Sequence, residues 1–153
     1  MILVAPLAGT LRDLAEVPDP VFAERLMGDG VAIEPDEAPL LTAHAPCDGV
    51  IAKLFPGGHA MVIDGELGPI LLHFGIDTVE LHGEGLRALV VEGDRVAAGT
   101  PLVEIQVAAL RGRGINLISP VIGIAGQRVS LLAPLGGRIT PGEPLLELLP
   151  PSA

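Results

Sequence analysis

Apolar residues in this chain come in short runs rich in Val, Ile and Leu, separated by Gly, Pro and acidic residues: Val31–Ile33, Gly49–Leu54, Ala60–Ile63, Ile70–Phe74, Leu86–Val91, Pro101–Val107, Ile115–Ile118, Gln127–Leu132 and Pro144–Leu149. Runs of roughly four to seven residues with turn signals between them predict strands, and their even spacing predicts an all-β domain. Helical periodicity is weak. The best helical candidate is PVFAERLM, Pro20–Met27. Asp19 stands where an N-cap belongs, Pro20 suits the first helical position, and Gly28 is placed to end the turn.

The pattern repeats. EGDRVAAGTPLVEI (Glu92–Ile105) aligns without gaps on LGGRITPGEPLLEL (Leu135–Leu148), pairing Gly93 with Gly136, Arg95 with Arg138, Gly99 with Gly142 and Pro101 with Pro144. A second phrase, Pro-x-x-Gly, recurs in APLAGTL from Ala5, APCDGVI from Ala45 and SPVIGIA from Ser119. Such self-similarity predicts a duplicated β-unit. Two copies are too few for a solenoid, so an antiparallel β-sandwich or flattened barrel in one domain, 1–153, is expected, with one or two short helical turns.

Bulk composition narrows the function. The chain has 153 residues, a formal charge of −10, three Phe and no Tyr or Trp. A chain without a basic stripe or stacking aromatics is a poor fit to nucleic acid. An acidic surface suits a partner with a basic patch. No apolar run approaches the ~20 residues of a membrane span, and MILVAPLAG lacks the basic start and cleavage site of a signal sequence. A cytoplasmic chain is expected. The single cysteine, Cys47, reads as a small buried hydrophobe.

Histidines carry the candidate chemistry. His73 lies inside ILLHF, and His59 opens HAMVI after the turn Pro56-Gly57-Gly58. On adjacent antiparallel strands their Cβ atoms would be about 4.5–5.5 Å apart; two separate, hydrogen-bonded histidines are an equally good reading. A pair would supply a neutral imidazole nucleophile and a second imidazole to stabilise a phosphoryl group in flight, or two nitrogen ligands for Zn²⁺. Asp77, four residues after His73, would orient or repel. His82 reads as a solvated turn residue and His44 as a surface residue at a strand start.

HFGIDTVELHGEG (His73–Gly85) resembles the signature around the phosphorylated histidine of the glucose-type enzyme IIA family of the bacterial sugar phosphotransferase system. VPDPVFAERLMGDGVAI (Val17–Ile33), APCDGVIAKLFPGGHA (Ala45–Ala60) and EGDRVAAGTPLVEI resemble the family's other signature segments, in the same order. The resemblance implies an antiparallel β-sandwich with a duplicated half. It implies that His73 accepts a phosphoryl group from the phosphocarrier protein HPr and passes it to a cysteine of a sugar-transporter IIB domain, with His59 stabilising the group. It places Asp77 on the rim, and Asp19, Phe22, Leu26, Phe55, Leu71 and Val79 in a partner-binding ring. It implies no cofactor and no intrinsic metal, zinc between His59, His73 and a partner's carboxylate arising only in a complex. It further implies transient association with the membrane transporter and regulated proteins as a further partner class, and a monomer is expected because the functional face must stay free for partners. The chain departs from the family pattern at Gly57, where Thr is usual and its hydroxyl fixes the second imidazole, at Leu86, and at Gln106, where an acidic residue is common.

Two other classes compete. A zinc peptidase of the lysostaphin-like type needs a His-x-x-x-Asp pair, which His73 and Asp77 fit, and a His-x-His, which is missing. A lipoyl- or biotin-type carrier needs a lysine at a hairpin tip, whereas the only lysine, Lys53, lies inside VIAKLF.

Overall fold

The computed structural model describes residues 1–152. Its strands are β1 (Ile2–Val4), β2 (Gly9–Arg12), β3 (Gly30–Pro35), β4 (Leu41–His44), β5 (Gly49–Leu54), β6 (Ala60–Gly65), β7 (Gly68–His73), β8 (Leu86–Ala88), β9 (Arg95–Val96), β10 (Pro101–Ile105), β11 (Ser119–Gly123), β12 (Arg128–Leu131), β13 (Arg138–Ile139) and β14 (Pro144–Leu149). An eight-stranded sheet in the order β13-β2-β3-β11-β7-β6-β5-β9 is accompanied by two three-stranded sheets, β1-β14-β12 and β4-β10-β8. All pairings are antiparallel. This is the expected all-β architecture, and of the two forms foreseen it is the sandwich, unclosed, rather than a barrel.

The repeat has a structural counterpart. β9 and β13 lie at opposite ends of the large sheet, on β5 and β2. Their sequels β10 and β14 are the middle strands of the two small sheets. The paired turn glycines have matching backbones: Gly93 and Gly136 at φ 91° and 82°, Gly99 and Gly142 at φ 90° and 89°. Only glycine adopts that region freely, so the repeated glycines encode the repeated turns.

Side chains alternate across the large sheet as strand geometry requires. From β7, Ile70 and Leu72 enter the main core, as do Met61 and Ile63 of β6 and Val31 and Ile33 of β3. Leu71, Ala60 and Ala32, their neighbours in sequence, face the other way and join a second cluster with Leu14, Val17, Phe22, Ile76, Ile118 and Ile122. The large sheet is therefore apolar on both faces. Its outer face is roofed by the chain between β2 and β3, whose buried Phe22 is worth about 2 kcal/mol or more by area.

That roof contains a 3-10 turn, Leu14–Glu16, and α1, Pro20–Ala23. Asp13 caps the turn in a capping box with Glu16, and the Asp19 carboxylate accepts from Val21 N–H at 3.0 Å. The predicted helix is shorter than Pro20–Met27. It stops at Ala23 because Arg25 turns left-handed, at φ 55°. Arg25 is held there by Asp29 at 2.9 Å and Asp13 at 3.2 Å. Gly28 instead serves close approach: a Cβ there would lie 1.9 Å from the carbonyl oxygen of Gly123.

Three further expectations are corrected. Val107 leaves the β10 run to start a helix, α2 (Val107–Gly112), which buries Val107 and Leu110. Ile115–Ile118 is irregular, and the strand there is β11. His44 ends β4 rather than starting it, is half-buried, and keeps its Nδ1 buried without a partner. Cys47 is buried and burial pushes its thiol up to about 11, which makes it the inert hydrophobe expected.

Gly28→Ala forces the roof away from β11. It is expected to lower the unfolding free energy by about 2–3 kcal/mol, measured by urea denaturation.

Candidate functional site

The two histidines meet because of strand register. β6 and β7 form a hairpin in which Ala60 pairs with His73 and Gly65 with Gly68. Phe74 N–H donates to the His59 carbonyl at 2.7 Å, one step beyond the ladder. The imidazole centroids are 5.5 Å apart with the rings inclined at 74°. Of the two sequence readings, the pair is the one the fold adopts.

Each ring is anchored through Nδ1. His73 Nδ1 lies 2.6 Å from the Gly75 carbonyl oxygen, and His59 Nδ1 lies 2.8 Å from the Pro56 carbonyl oxygen. A carbonyl oxygen only accepts, so each Nδ1 carries the proton and donates it. In a neutral ring so anchored, Nε2 is the unprotonated nitrogen. Phe22 lies 5.1 Å from His73 and Phe55 lies 5.9 Å from His59, centroid to centroid.

The histidines line a shallow depression of about 280 Å³ together with Asp19, Val21, Phe22, Met27, Phe55, Ala60, Val62, Leu71 and Ile124. Asp19, Phe22, Phe55 and Leu71 were candidates from the sequence. Leu26 and Val79 are not in its lining, but both are exposed, at 70% and 51%. Asp77 lies in a separate groove with Pro18, Glu80, Leu81, Arg113 and Asn116. It adopts φ 59° at the head of the 3-10 turn Thr78–Leu81, and its carboxylate caps nothing. Gln106 is exposed at the head of α2 and Leu86 is buried.

Val21, Met27, Val62 and Ile124 were not singled out from the sequence. One of them was findable. Val62 is two residues from Ala60, and strand periodicity puts it on the His73 face. Met27 replaces Leu26 in the wall because the left-handed Arg25 turns the chain after α1.

Burial is the largest influence on His73 and lowers its pKa from the ordinary histidine value, aided by the neighbouring His59. The Gly75 hydrogen bond and the charges of Asp19 and Asp77 oppose this but do not win. His73 is therefore neutral near pH 7, with a free lone pair on Nε2. Among the described residues, no three His, Cys, Asp or Glu side chains gather in a way that would hold a metal ion. Lys53 is inside β5, with its ammonium 3.9 Å from Glu92, not at a hairpin tip.

An antiparallel β-sandwich with two histidines sharing an apolar depression fits a histidine-based group-transfer module, and comparison with known proteins agrees. Residues 1–129 match the family model described as phosphoenolpyruvate-dependent sugar phosphotransferase system, EIIA 1. The chain belongs to that family. It is 44% identical over 121 residues to a glucose-specific EIIA component of Bacillus cereus, covering 78% of this chain and 72% of that protein. It is 36% identical over 146 residues to a glucoside-specific EIICBA component of Staphylococcus carnosus, covering 95% of this chain but 21% of that longer protein. Among solved structures, glucose permease IIA from Mycoplasma capricolum superposes with a TM-score of 0.84 at 35% identity, covering 95% of this chain and 94% of that one. The zinc peptidase reading finds no support in these matches. No helix among the described residues is long and apolar enough to cross a membrane.

The depressed pKa of His73 has a consequence for stability. A histidine whose folded pKa lies below its unfolded value of about 6.5 contributes stability that is full above that value and lost as pH falls through the folded pKa. The urea midpoint of the wild type is therefore expected to fall between pH 7 and pH 5 more steeply than that of His73→Gln, and parallel curves would contradict the assignment.

Proposed function

We propose that the chain is a phosphocarrier that takes a phosphoryl group from phospho-HPr onto His73 Nε2 and passes it to a cysteine of a sugar-transporter IIB domain. Uptake of a sugar is then coupled to its phosphorylation. The observation that carries this reading is the histidine pair, both rings anchored through Nδ1 and both lining one apolar depression.

The chemistry follows from the anchoring. The His73 Nε2 lone pair attacks phosphorus while its Nδ1–H keeps donating to the Gly75 carbonyl. The P–N bond to the donor histidine breaks, and its electron pair returns to the donor nitrogen. His59, beside it, stabilises the transferred group. Asp77 acts from the neighbouring groove as a rim charge. No metal or organic cofactor enters this transfer.

The surroundings suit successive docking. Phe22, Phe55 and Leu71 form an apolar wall that limits water near the phosphoryl group. Exposed Val21, Leu26, Met27 and Val79 offer apolar contact surface. Asp19, and a net charge of −10, favour encounter with a basic partner. The relative in which an EIIA segment is continuous with EIIB and EIIC supports the transporter as the receiving partner. On this reading the protein works as a cytoplasmic monomer with its docking face free, meeting the membrane transporter transiently.

The test is incubation with phosphoenolpyruvate, enzyme I and HPr, followed by intact mass and peptide mapping. Acid-labile phosphate is expected on His73 and absent from His73→Gln. His59→Gln is expected to keep phosphate on His73 and pass it to a IIB domain roughly 10²-fold more slowly. An unmodified wild type beside a competent donor overturns the reading.

A further inference from the structure

The same anchoring that frees two lone pairs creates a conflict. The nucleophile needs a bare Nε2, which His73 has. A group that stabilises a phosphoryl oxygen needs an N–H to donate, and neutral His59 has none to offer, because its only ring proton is committed to the Pro56 carbonyl. Two bare nitrogens share the depression. A phosphoryl group arriving on His73 would set its oxygens against the His59 lone pair.

A hydroxyl beside His59 Nδ1 would resolve this, since it can donate to Nδ1 and let the neutral ring carry its proton on Nε2. Position 57 cannot provide one. It is glycine at φ 78°, and a Cβ there would lie 2.6 Å from Gly83 N and 2.9 Å from Gly83 Cα. The turn Pro56–Gly58 is wedged against the backbone that follows the Thr78–Leu81 turn. Turning the imidazole over would break a buried hydrogen bond, because His59 is 6% exposed.

The remaining route to a donor is a second proton. We infer that phosphorylation of His73 is coupled to proton uptake by His59, whose Nε2–H then donates to the phosphoryl group while Nδ1 stays on Pro56. This rests on the phosphocarrier reading above and deepens it. The step balances simply. The new P–N bond uses the His73 lone pair, the donor nitrogen recovers its own, and His59 Nε2 takes a proton from solvent. When the phosphoryl group leaves for the IIB cysteine, the proton leaves too.

Charged and titratable groups around the pair come from several elements. Asp19 faces it from the cap of α1 and Asp77 from the turn after β7, while His82, in the turn that packs on Gly57, is exposed and outside the lining of the depression. Lys53 on β5 lies 5.7 Å from the Phe55 ring centroid but is engaged by Glu92. None of these stands in for an N–H on the His59 side of the depression, and a phosphoryl dianion is the strongest new charge the pair meets. The positioning element is thus the Gly57–Gly83 contact, which acts on transfer through the tautomer of His59.

The experiment is ring-nitrogen NMR on histidine-labelled protein at pH 7.5, before and after phosphorylation by phosphoenolpyruvate, enzyme I and HPr, with mass spectrometry reporting phosphate on each sample. Before phosphorylation, His59 and His73 are expected as neutral Nδ1–H tautomers. Afterwards both nitrogens of His59 are expected to be protonated. The equilibrium constant for transfer from phospho-HPr should fall as pH rises, by up to about tenfold per pH unit for one coupled proton, relative to His59→Gln, whose amide donates without taking up a proton. Phosphate present with a neutral His59, in either tautomer, overturns this inference and leaves the phosphocarrier reading standing. No phosphate on His73 overturns both.

Discussion

The site depends on the register of one hairpin. Pairing of Ala60 with His73 across β6 and β7 sets which residues of each strand face which side. A slip of one residue would send His73 into the main core, where no polar partner awaits it, and turn Leu72 outward. The glycines at the hairpin's closed end, Gly65 and Gly68, and the Phe74-to-His59 bond at its open end fix that register at both limits. The strands do more than carry the histidines. Their ends deliver the carbonyls, Pro56 just before β6 and Gly75 just after β7, that choose which nitrogen of each ring is free.

A sheet with two apolar faces needs two covers. The inner face of the large sheet packs the main core, while the outer face is only partly roofed by residues 13–29. Where the roof ends, the outer cluster opens and the depression begins. Phe22 belongs to both, buried against Leu71 and Ala60 and in ring contact with His73. The site is thus the unfinished edge of a small core. That explains how it is apolar without being closed, and why Arg25 with its two carboxylate partners matters to it. The Asp13 and Asp29 contacts hold the chain reversal that ends α1 and swings Met27 toward the histidines.

Much of this was legible in residue order. The duplicated glycine phrases foretold matching turns, and Gly49–Leu54 and Pro144–Leu149 are strands over the spans read from their apolar runs. Asp19 as a cap followed from its place before Pro20. Strands β1, β2 and β4 escaped notice because each is three or four residues long and makes its sense only against a distant partner. Helix α2 hid in an apolar run that continues β10 without punctuation. Leu26 was placed in the ring by the resemblance, within a helix expected to run to Met27, and that helix ends sooner. It stops where Arg25 finds two carboxylates, a tertiary event that local pattern does not encode. The meeting of His59 and His73 was a choice between equals in the strand pattern, and register decided it.

On the phosphocarrier reading, the electrostatics favour passage over storage. Burial keeps His73 uncharged and nucleophilic, while Asp19 and Asp77 are close enough to work against that burial on the same ring. Before transfer these carboxylates draw in a basic partner. After transfer they stand beside a new dianion, and at short range in a poorly hydrated depression that repulsion is little screened. The same two charges would thereby assist arrival of the donor and departure of the phosphoryl group. A carrier needs both, because a phosphohistidine held too tightly is a trap and one that forms too reluctantly carries nothing. The apolar wall serves the interval between, when the bond must outlast a change of partner in water. Carboxylates at the edge and hydrocarbon around the rings are therefore two parts of one requirement, and neither alone would make a transferable phosphate.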